Sequence, residues 1–242
     1  MRVASLMTMP MVLTAHGSAD PRSAATAHAV ADQIRRLRPG LDVRVAFCEK
    51  STPNLRDVLI GLDGPAVVTP LLLASAYHAR VDIPAIISDT GADVLQADTL
   101  GEDPHLIAVL RHRLSELNVD HENTGTGVLV VAVGSSHTEA NTGTATVAEA
   151  LAHGSSWAGV RIAYATGAQP SVDEGIEELR LLGARRIALA PWFIAPGRIT
   201  DRVAAIASAA GIPMADTLGA HPLVATTVLD RFDRAIAQRL AA

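Results

Sequence analysis

The segment MVLTAHGSADPR, residues 11–22, contains the pattern that decides the fold of this protein. Its first part, Met11–Ala15, is an apolar run with Thr14 as its one polar residue, which is typical of a strand buried on both faces of a parallel sheet. A Gly-Ser turn follows, and over Ala24–Arg38 the apolar residues recur at the three- and four-residue spacing of a helix. We therefore predict a buried strand, a tight turn and a packed helix, in that order.

The same alternation of apolar run and amphipathic segment continues along the chain. The predicted strands are Met11–Ala15, Val43–Phe47, Ala66–Leu73, Ala92–Ala97, Val128–Val133, Val160–Ala165, Ile187–Ile194 and Ile212–Ala215. The predicted helices are Ala24–Arg38, Pro53–Leu62, Pro104–Leu117, Thr144–Leu151, Ser171–Leu182 and Leu223–Leu240. Strands that alternate with helices imply right-handed crossovers and a parallel sheet, so the chain is assigned to the α/β class.

This series of elements occurs twice. Ala97–Gly101, with the sequence ADTLG, recurs as Ala215–Gly219, which is 118 residues further on (215 − 97). Three more pairs occur in the same order: Ala15–Ser18 with Ala132–Ser135, Pro53 with Pro170, and Pro70–Ala74 with Pro191–Ala195. We predict two similar halves, 1–121 and 127–242, each a mostly parallel four-stranded sheet flanked by helices. The active-site cleft is expected between the halves.

The composition excludes several classes of function. The chain has 242 residues, 49% of them hydrophobic, a formal net charge of −5 and a pI of about 6.0. A protein that binds nucleic acid normally shows a basic stripe, so no nucleic-acid partner is expected. Cys48 is the one cysteine, which excludes a disulfide within the chain and a cluster bound by several of its thiolates. Lys50 is the one lysine, and it lies outside any P-loop motif.

No stretch of the sequence approaches the roughly 20 apolar residues that a membrane span needs. The first 18 residues resemble a short signal peptide. Their apolar run, however, passes directly into the predicted strand Met11–Ala15 and offers no natural cleavage point. We therefore expect a cytoplasmic protein without a membrane partner.

A duplicated fold makes the sequence its own control, because residues that the fold needs should persist in both halves. Three residues that follow strands in the first half are replaced in the second: His16 by Val133, Glu49 by Thr166, and His78 by Ile199. In open parallel sheets, ligands bind at the carboxyl ends of strands. Neutral imidazole suits Fe²⁺, Co²⁺ and Ni²⁺, and two histidines with a carboxylate can hold such an ion without trapping it. Histidine can also accept a proton at neutral pH.

The turn after the first predicted strand offers a second kind of binding group. The backbone N–H groups around Gly17 and Ser18 can hold a carboxylate or a phosphate where a helix begins. The same pair survives as Gly134 and Ser135 in the second half, which a purely structural turn would also show.

Three segments of the first half, taken in order, resemble one known family. They are AHGSADPR (Ala15–Arg22), VAFCEKSTPNL (Val45–Leu55) and PLLLASAYHARVDIP (Pro70–Pro84). The combination is similar to the CbiX/SirB sirohydrochlorin chelatases, class II tetrapyrrole chelatases that insert Co²⁺ or Fe²⁺ into sirohydrochlorin. The second half resembles the diverged repeat of a long-form member. The resemblance implies that His16 and His78 bind the incoming metal, that Glu49 assists catalysis, and that each chain has one active site.

The resemblance also implies the ligands. Co²⁺ or Fe²⁺ is expected as a metal substrate, with no permanently bound cofactor, and the chain is expected to be a monomer. Sirohydrochlorin is a polycarboxylate, so substrate contacts are expected from Gly17, Ser18, Arg80, Arg198 and Arg202. Ordinary surface charge is the competing explanation for the three arginines. A non-catalytic carrier of tetrapyrrole or metal, using the same site, is the alternative function, and turnover separates the two.

Overall fold

Two parallel sheets, each flanked by helices, organise the chain. A computed structural model describes residues 9–74, 78–136 and 138–241, with the backbone but not the side chain of residue 78. The described residues divide into two compact units, one within Met1–Gly101 and Ala220–Ala242, the other being Glu102–Gly219. Within these ranges, no helix combines the length and the apolar character that a membrane span requires.

The sheet of the first unit has four parallel strands in the order β2-β1-β3-β4. The strands are β1 (Met11–Ala15), β2 (Val43–Phe47), β3 (Ala66–Pro70) and β4 (Val94–Gln96). Met11 lies opposite Val43 on one side and Val67 on the other. Every residue of β1 is buried, Thr14 included, as its mainly apolar sequence predicts. The central strand β1 therefore delivers the next residue, His16, to the middle of the carboxyl edge of the sheet.

The helices of this unit include α1 (Pro21–Leu37), α2 (Leu55–Ile60) and α3 (Ile83–Thr90). Two of them, α1 and α2, begin at a residue whose side chain caps the helix, Asp20 and Asn54 respectively. At the start of α1, the Asp20 carboxylate accepts the Arg22 N–H at 3.0 Å, and Pro21 takes the first helical position. A π-helical turn, His78–Asp82, precedes α3. The sequence patterns do not predict α3.

The sheet of the second unit has three parallel strands in the order β6-β5-β7. Its strands and helices are α4 (Pro104–Glu116), β5 (Thr126–Ala132), α5 (Thr138–Ala152), β6 (Gly159–Tyr164), α6 (Val172–Leu181), β7 (Arg186–Pro191) and α7 (Arg198–Ala209). The two-sheet α/β class is confirmed, but the fourth strand predicted at Ile212–Ala215 is wrong. Met214 makes only an isolated bridge with Leu189 there. Pro213 has no N–H to donate to a ladder, so the segment passes β7 without extending the sheet.

The last helix of each sequence repeat packs in the unit of the other repeat. Helix α4 follows the first ADTLG segment, yet it packs against α5 and β7 in the second unit. Helix α8 (Pro222–Ala241) follows the second ADTLG segment and packs against α1 and β3 in the first unit. The predicted division into 1–121 and 127–242 follows the sequence repeats, whereas the compact units divide after Gly101 and Gly219.

Each of these two helices supports an ADTLG segment with an arginine. Arg113 on α4 donates to the Thr217 carbonyl at 3.2 Å, and Arg231 on α8 donates to the Thr99 carbonyl at 3.0 Å. Arg231 is only 9% exposed, and its guanidinium also donates to the Leu100 carbonyl, so hydrogen bonds to carbonyl groups offset the burial of its charge. In each repeat, the carbonyl groups of the ADTLG segment therefore accept hydrogen bonds from an arginine of a helix that is distant in the sequence.

Candidate metal site

The carboxyl edge of the first sheet brings His16 and Glu49 together. His16 directly follows β1, and Glu49 follows the neighbouring strand β2 after one residue. The Glu49 N–H donates to the His16 carbonyl at 3.0 Å, which joins the two strand-end loops. Their side chains then meet, with His16 Nε2 3.2 Å from Glu49 Oε1. Since 36% of the His16 side chain and 44% of the Glu49 side chain are exposed, solvent reaches the pair while the sheet positions it.

Gly17 is required by the backbone at this site. Its φ is +91°, and a Cβ atom on it would lie 1.7 Å from the Glu49 carbonyl oxygen. No side chain fits there, and glycine adopts such a φ at little cost. Its counterpart Gly134 has a φ of +88°, and a Cβ atom on it would lie 2.0 Å from the Thr166 carbonyl oxygen. Gly17 therefore serves the fold in the same way as Gly134, and its contact with substrate stays a prediction.

Ser18 makes its hydrogen bonds within the protein. Its N–H donates to Ser51 Oγ at 3.1 Å, and Ser51 Oγ donates to the Ser18 carbonyl at 3.0 Å. The Ser18 hydroxyl accepts the Asp20 N–H at 3.0 Å. The Ser18 N–H is thus engaged, not open to an anion as the sequence pattern suggests, and substrate binding by Ser18 stays a prediction. Ser51, which the sequence reasoning missed, ties the loop after β1 to the loop after β2.

Lys50 is a second site residue that the sequence reasoning missed. Its Nζ lies 2.6 Å from Glu49 Oε1, the oxygen that His16 Nε2 also approaches. The lysine side chain is 57% exposed. The site therefore holds a carboxylate between an imidazole and an ammonium group. A comparison of the two repeats would have found Lys50, because its counterpart in the second repeat is Gly167.

His78, the other predicted metal ligand, follows β3, the strand on the other side of β1. Its backbone begins the π-helical turn that leads into α3, while its side chain and residues 75–77 lie outside the described residues. Among the residues that the structure does describe, no group of three or more His, Cys, Asp or Glu side chains is placed to hold a metal ion. His16 and Glu49 thus supply two donors, and the assignment of His78 as a ligand stays a prediction.

Cys48, between β2 and Glu49, does not add a thiolate. Burial, together with the nearby charges of Asp82 and Glu49, raises the pKa of its thiol to about 11. The thiol is therefore protonated at neutral pH, whereas the thiolate is the form that binds metals. Among the described side chains at this edge, the donors that remain are the His16 imidazole and the Glu49 carboxylate, which suit a first-row divalent ion.

The second repeat builds the same loops without these donors. The Thr166 N–H donates to the Val133 carbonyl at 2.9 Å, as Glu49 does to His16. The Thr166 hydroxyl also donates to the Val133 carbonyl, at 2.7 Å. The predicted correspondence of these two pairs of residues is confirmed by this shared bond. Ile199, the predicted counterpart of His78, packs against the hydrophobic core of the second unit.

The three arginines predicted to bind substrate are all exposed. Arg80 lies in the π-helical turn of the first unit. Arg198 and Arg202 lie four residues apart at the start of α7, a helix that the sequence patterns do not predict. The turn before α7 is held by Thr200 Oγ1, which accepts the Gly197 N–H at 2.7 Å. Contact of these arginines with a carboxylate substrate stays a prediction.

The fold and the site define a class: a parallel α/β protein of two repeats, with an imidazole–carboxylate pair at adjacent strand ends of one repeat. The model of the CbiX family matches residues 10–117 and again residues 127–235. The chain belongs to the CbiX family. Both matches follow the sequence repeats, so each repeat is one copy of the family's unit.

Two curated enzymes and one solved structure that are similar to this chain are consistent with its assignment to the family. The chain is 28% identical over 184 residues to the sirohydrochlorin ferrochelatase of Priestia megaterium, covering 70% of this chain and 68% of that enzyme. It is 24% identical over 207 residues to the sirohydrochlorin cobaltochelatase of the same organism, covering 80% of this chain and 66% of that enzyme. The structure of SirB from Bacillus subtilis with Fe³⁺ has the same fold, with a TM-score of 0.82, 19% identity and coverage of 97% and 98% of the two chains.

Proposed function

We propose that the protein is a sirohydrochlorin chelatase, a lyase that inserts Co²⁺ or Fe²⁺ into sirohydrochlorin. Membership of the CbiX family and the similarity to sirohydrochlorin chelatases support this function. The observation that carries it is the His16–Glu49 pair, with 3.2 Å between its donor atoms. The second repeat keeps the backbone of these loops and has Val133 and Thr166 instead, so the fold does not need the pair. Binding of the metal substrate therefore explains why the first repeat has the His16–Glu49 pair.

The geometry of the pair suits one small cation. Two donor atoms 3.2 Å apart, each about 2.1 Å from an ion, subtend an angle of about 100° at that ion. This angle lies between those of octahedral and tetrahedral coordination, so a first-row divalent metal fits without movement of either loop. A site with few protein ligands leaves coordination positions for water and for the nitrogen atoms of the incoming ring. His78 is proposed as a further ligand.

The same donor atoms account for the protons of the reaction. Insertion of a divalent ion releases two protons from the pyrrole nitrogens of the macrocycle. Once the ion has passed to the ring, His16 Nε2 and Glu49 Oε1 are both vacated, and each is a base. Imidazole can accept one proton near neutral pH, and the partly exposed Glu49 carboxylate can pass the other to solvent.

The substrate's carboxylates require positive partners. Arg80, Arg198 and Arg202 are proposed to bind them, because exposed guanidinium groups form paired hydrogen bonds with carboxylates. We also propose that the protein acts as a monomer in the cytoplasm. The support for a monomer is that one chain contains both copies of the family's unit.

An anaerobic insertion assay with sirohydrochlorin and Co²⁺ or Fe²⁺ tests the function. We expect His16→Ala, Glu49→Gln and His78→Ala each to lower kcat/KM for the metal at least tenfold, the range typical of a disturbed metal site. Val133→Ala and Thr166→Ala are matched controls at the equivalent positions of the second repeat, and they should stay within twofold of wild type. Wild-type protein that binds tetrapyrrole and metal stoichiometrically without accelerating insertion would make it a carrier and overturn the proposal.

A further inference from the structure

Lys50 occupies a backbone position that suits glycine. It is the middle residue of a three-residue turn closed by the Ser51 N–H, which donates to the Glu49 carbonyl at 2.7 Å, and its φ is +56°. The second repeat makes the same turn, closed at 2.8 Å, around Gly167, whose φ is +65°. A left-handed φ is unfavourable for a residue with a Cβ atom and nearly free for glycine. The first repeat therefore has a lysine where the backbone favours glycine. We infer that an interaction of the lysine side chain offsets this conformational cost.

The lysine side chain places a positive charge on the candidate metal ligand. Lys50 Nζ and His16 Nε2 lie 2.6 Å and 3.2 Å from the same atom, Glu49 Oε1. The chain has 20 lysine and arginine residues, and this is the one that is not arginine. The difference matters, because an arginine fork binds a carboxylate with two parallel hydrogen bonds, whereas an ammonium is a point charge on a flexible stem that can leave easily. With 57% of its side chain exposed, Lys50 has room to withdraw.

We propose that Lys50 is a placeholder for the divalent metal, a positioning residue that neutralises and orients Glu49 until the ion arrives. The inference rests on the proposed function of the site. The ammonium has no lone pair and cannot coordinate the ion, so the two cations compete for Glu49 Oε1. The arriving metal takes this oxygen, and Lys50 turns out to solvent. Because each metal ion must displace a bound cation, it is held less tightly than by an unoccupied pair, which favours its release to the ring.

Titration of the tetrapyrrole-free protein with Co²⁺ measures this competition. We expect Lys50→Gln to lower the Kd for Co²⁺ two- to fivefold, the range for an exposed ion pair. Lys50→Gly, which has the residue of the second repeat, should give the same decrease, and this control separates the charge from the backbone conformation. Lys50→Arg keeps the charge and should have a Kd at or above that of wild type. In the insertion assay, the KM for Co²⁺ should fall in Lys50→Gln while kcat does not rise. An unchanged or higher Kd in Lys50→Gln overturns the proposal.

The single lysine also permits a direct observation of its release. Reductive methylation with ¹³C-formaldehyde keeps the charge and labels Lys50 and the N-terminal amine, and the Lys50→Arg protein identifies the lysine resonance by its loss. On addition of diamagnetic Zn²⁺, we expect this resonance to move to its position in metal-free Glu49→Gln, where the carboxylate partner is absent. A resonance that stays in place while Zn²⁺ binds overturns the proposal.

The metal site and the placeholder role of Lys50 are contradicted by different results. If wild-type protein binds neither Co²⁺ nor Zn²⁺, the metal site itself is wrong, and the proposed function falls with it. If the metals bind and the loss of the lysine charge leaves their affinity unchanged, only the placeholder role is wrong.

Discussion

Replacement of Gly17 by alanine tests whether close backbone contact builds the metal site. The new methyl group would lie 1.7 Å from the Glu49 carbonyl oxygen, whereas ordinary contact begins at 3.4 Å. The loops after β1 and β2 must therefore separate by about 1.7 Å (3.4 − 1.7). Such a shift breaks the 3.0 Å hydrogen bond from the Glu49 N–H to the His16 carbonyl and moves the two side chains apart. Gly134→Ala imposes nearly the same clash in the second repeat, with a contact of 2.0 Å.

The expected loss of stability is the sum of three costs. A positive φ costs alanine roughly 1–2 kcal/mol. Overpacking against a backbone that can yield adds about 1–3 kcal/mol, and the lost hydrogen bond adds about 1 kcal/mol. We expect each variant to lower the free energy of unfolding by about 3–6 kcal/mol, because both glycines make the same contact.

Urea unfolding followed by circular dichroism measures this loss, and titration with Co²⁺ under native conditions measures the site. Gly17→Ala should lose both stability and Co²⁺ affinity, by tenfold or more, whereas Gly134→Ala should lose stability alone. The reasoning is refuted if Gly17→Ala unfolds within 1 kcal/mol of wild type, or if the two variants lose Co²⁺ affinity equally.

Three further predictions concern single side chains. Ser51→Ala removes both hydrogen bonds to Ser18 and should cost about 1–2 kcal/mol in urea unfolding and weaken Co²⁺ binding in the same titration; unchanged binding would separate Ser51 from the site. Arg231→Met should cost about 2–3 kcal/mol, because carbonyl groups lose a charged donor, and a loss below 1 kcal/mol would contradict this account of the ADTLG segment. The backbone and side-chain hydrogen bonds of Ser171 lower the pKa of Glu174, so its contribution to stability is complete above pH 4.5 and is lost as the pH falls through the lowered value. As the pH is lowered through this range, the free energy of unfolding should fall less steeply for Ser171→Ala than for wild type. Parallel curves of the free energy of unfolding against pH would contradict the assignment.

The strands of the first unit were predictable because their signal is local. Met11–Ala15 and Val43–Phe47 have the predicted bounds, because a run of mainly apolar residues indicates a buried strand; only Arg44 in the second run is not fully buried. Trp192 lies within the predicted strand Ile187–Ile194 and is buried, with 3% of its surface exposed. The strand predicted at Ile212–Ala215 failed because apolar character alone does not guarantee a ladder partner, and Pro213 removes a donor.

The site was predictable only where the two repeats differ in residue type. His16 and Glu49 stood out because Val133 and Thr166 replace them, and the structure brings this pair within 3.2 Å. Lys50 and Ser51 also differ from their counterparts, Gly167 and Ala168, but they were missed because a lysine or serine in a loop has no sequence pattern that predicts where its side chain points. The relevant signal for Lys50 is its backbone conformation, which becomes visible only beside Gly167.

The sequence by itself determined the α/β class, the duplication and which repeat contains the candidate metal-site residues. Each of these follows from local periodicity or from a comparison of one half with the other. Only the tertiary structure decided that α4 and α8 pack in the units of the opposite repeats, and that Arg231 donates to Thr99, 132 residues away. The physical reason is that a helix with an apolar face is specified by its own residues, whereas the surface that buries this face is chosen by contacts between residues far apart in the chain. The approach of His16 and Lys50 to the same oxygen atom of Glu49 is a contact of this kind, because it depends on strand register and on one left-handed turn.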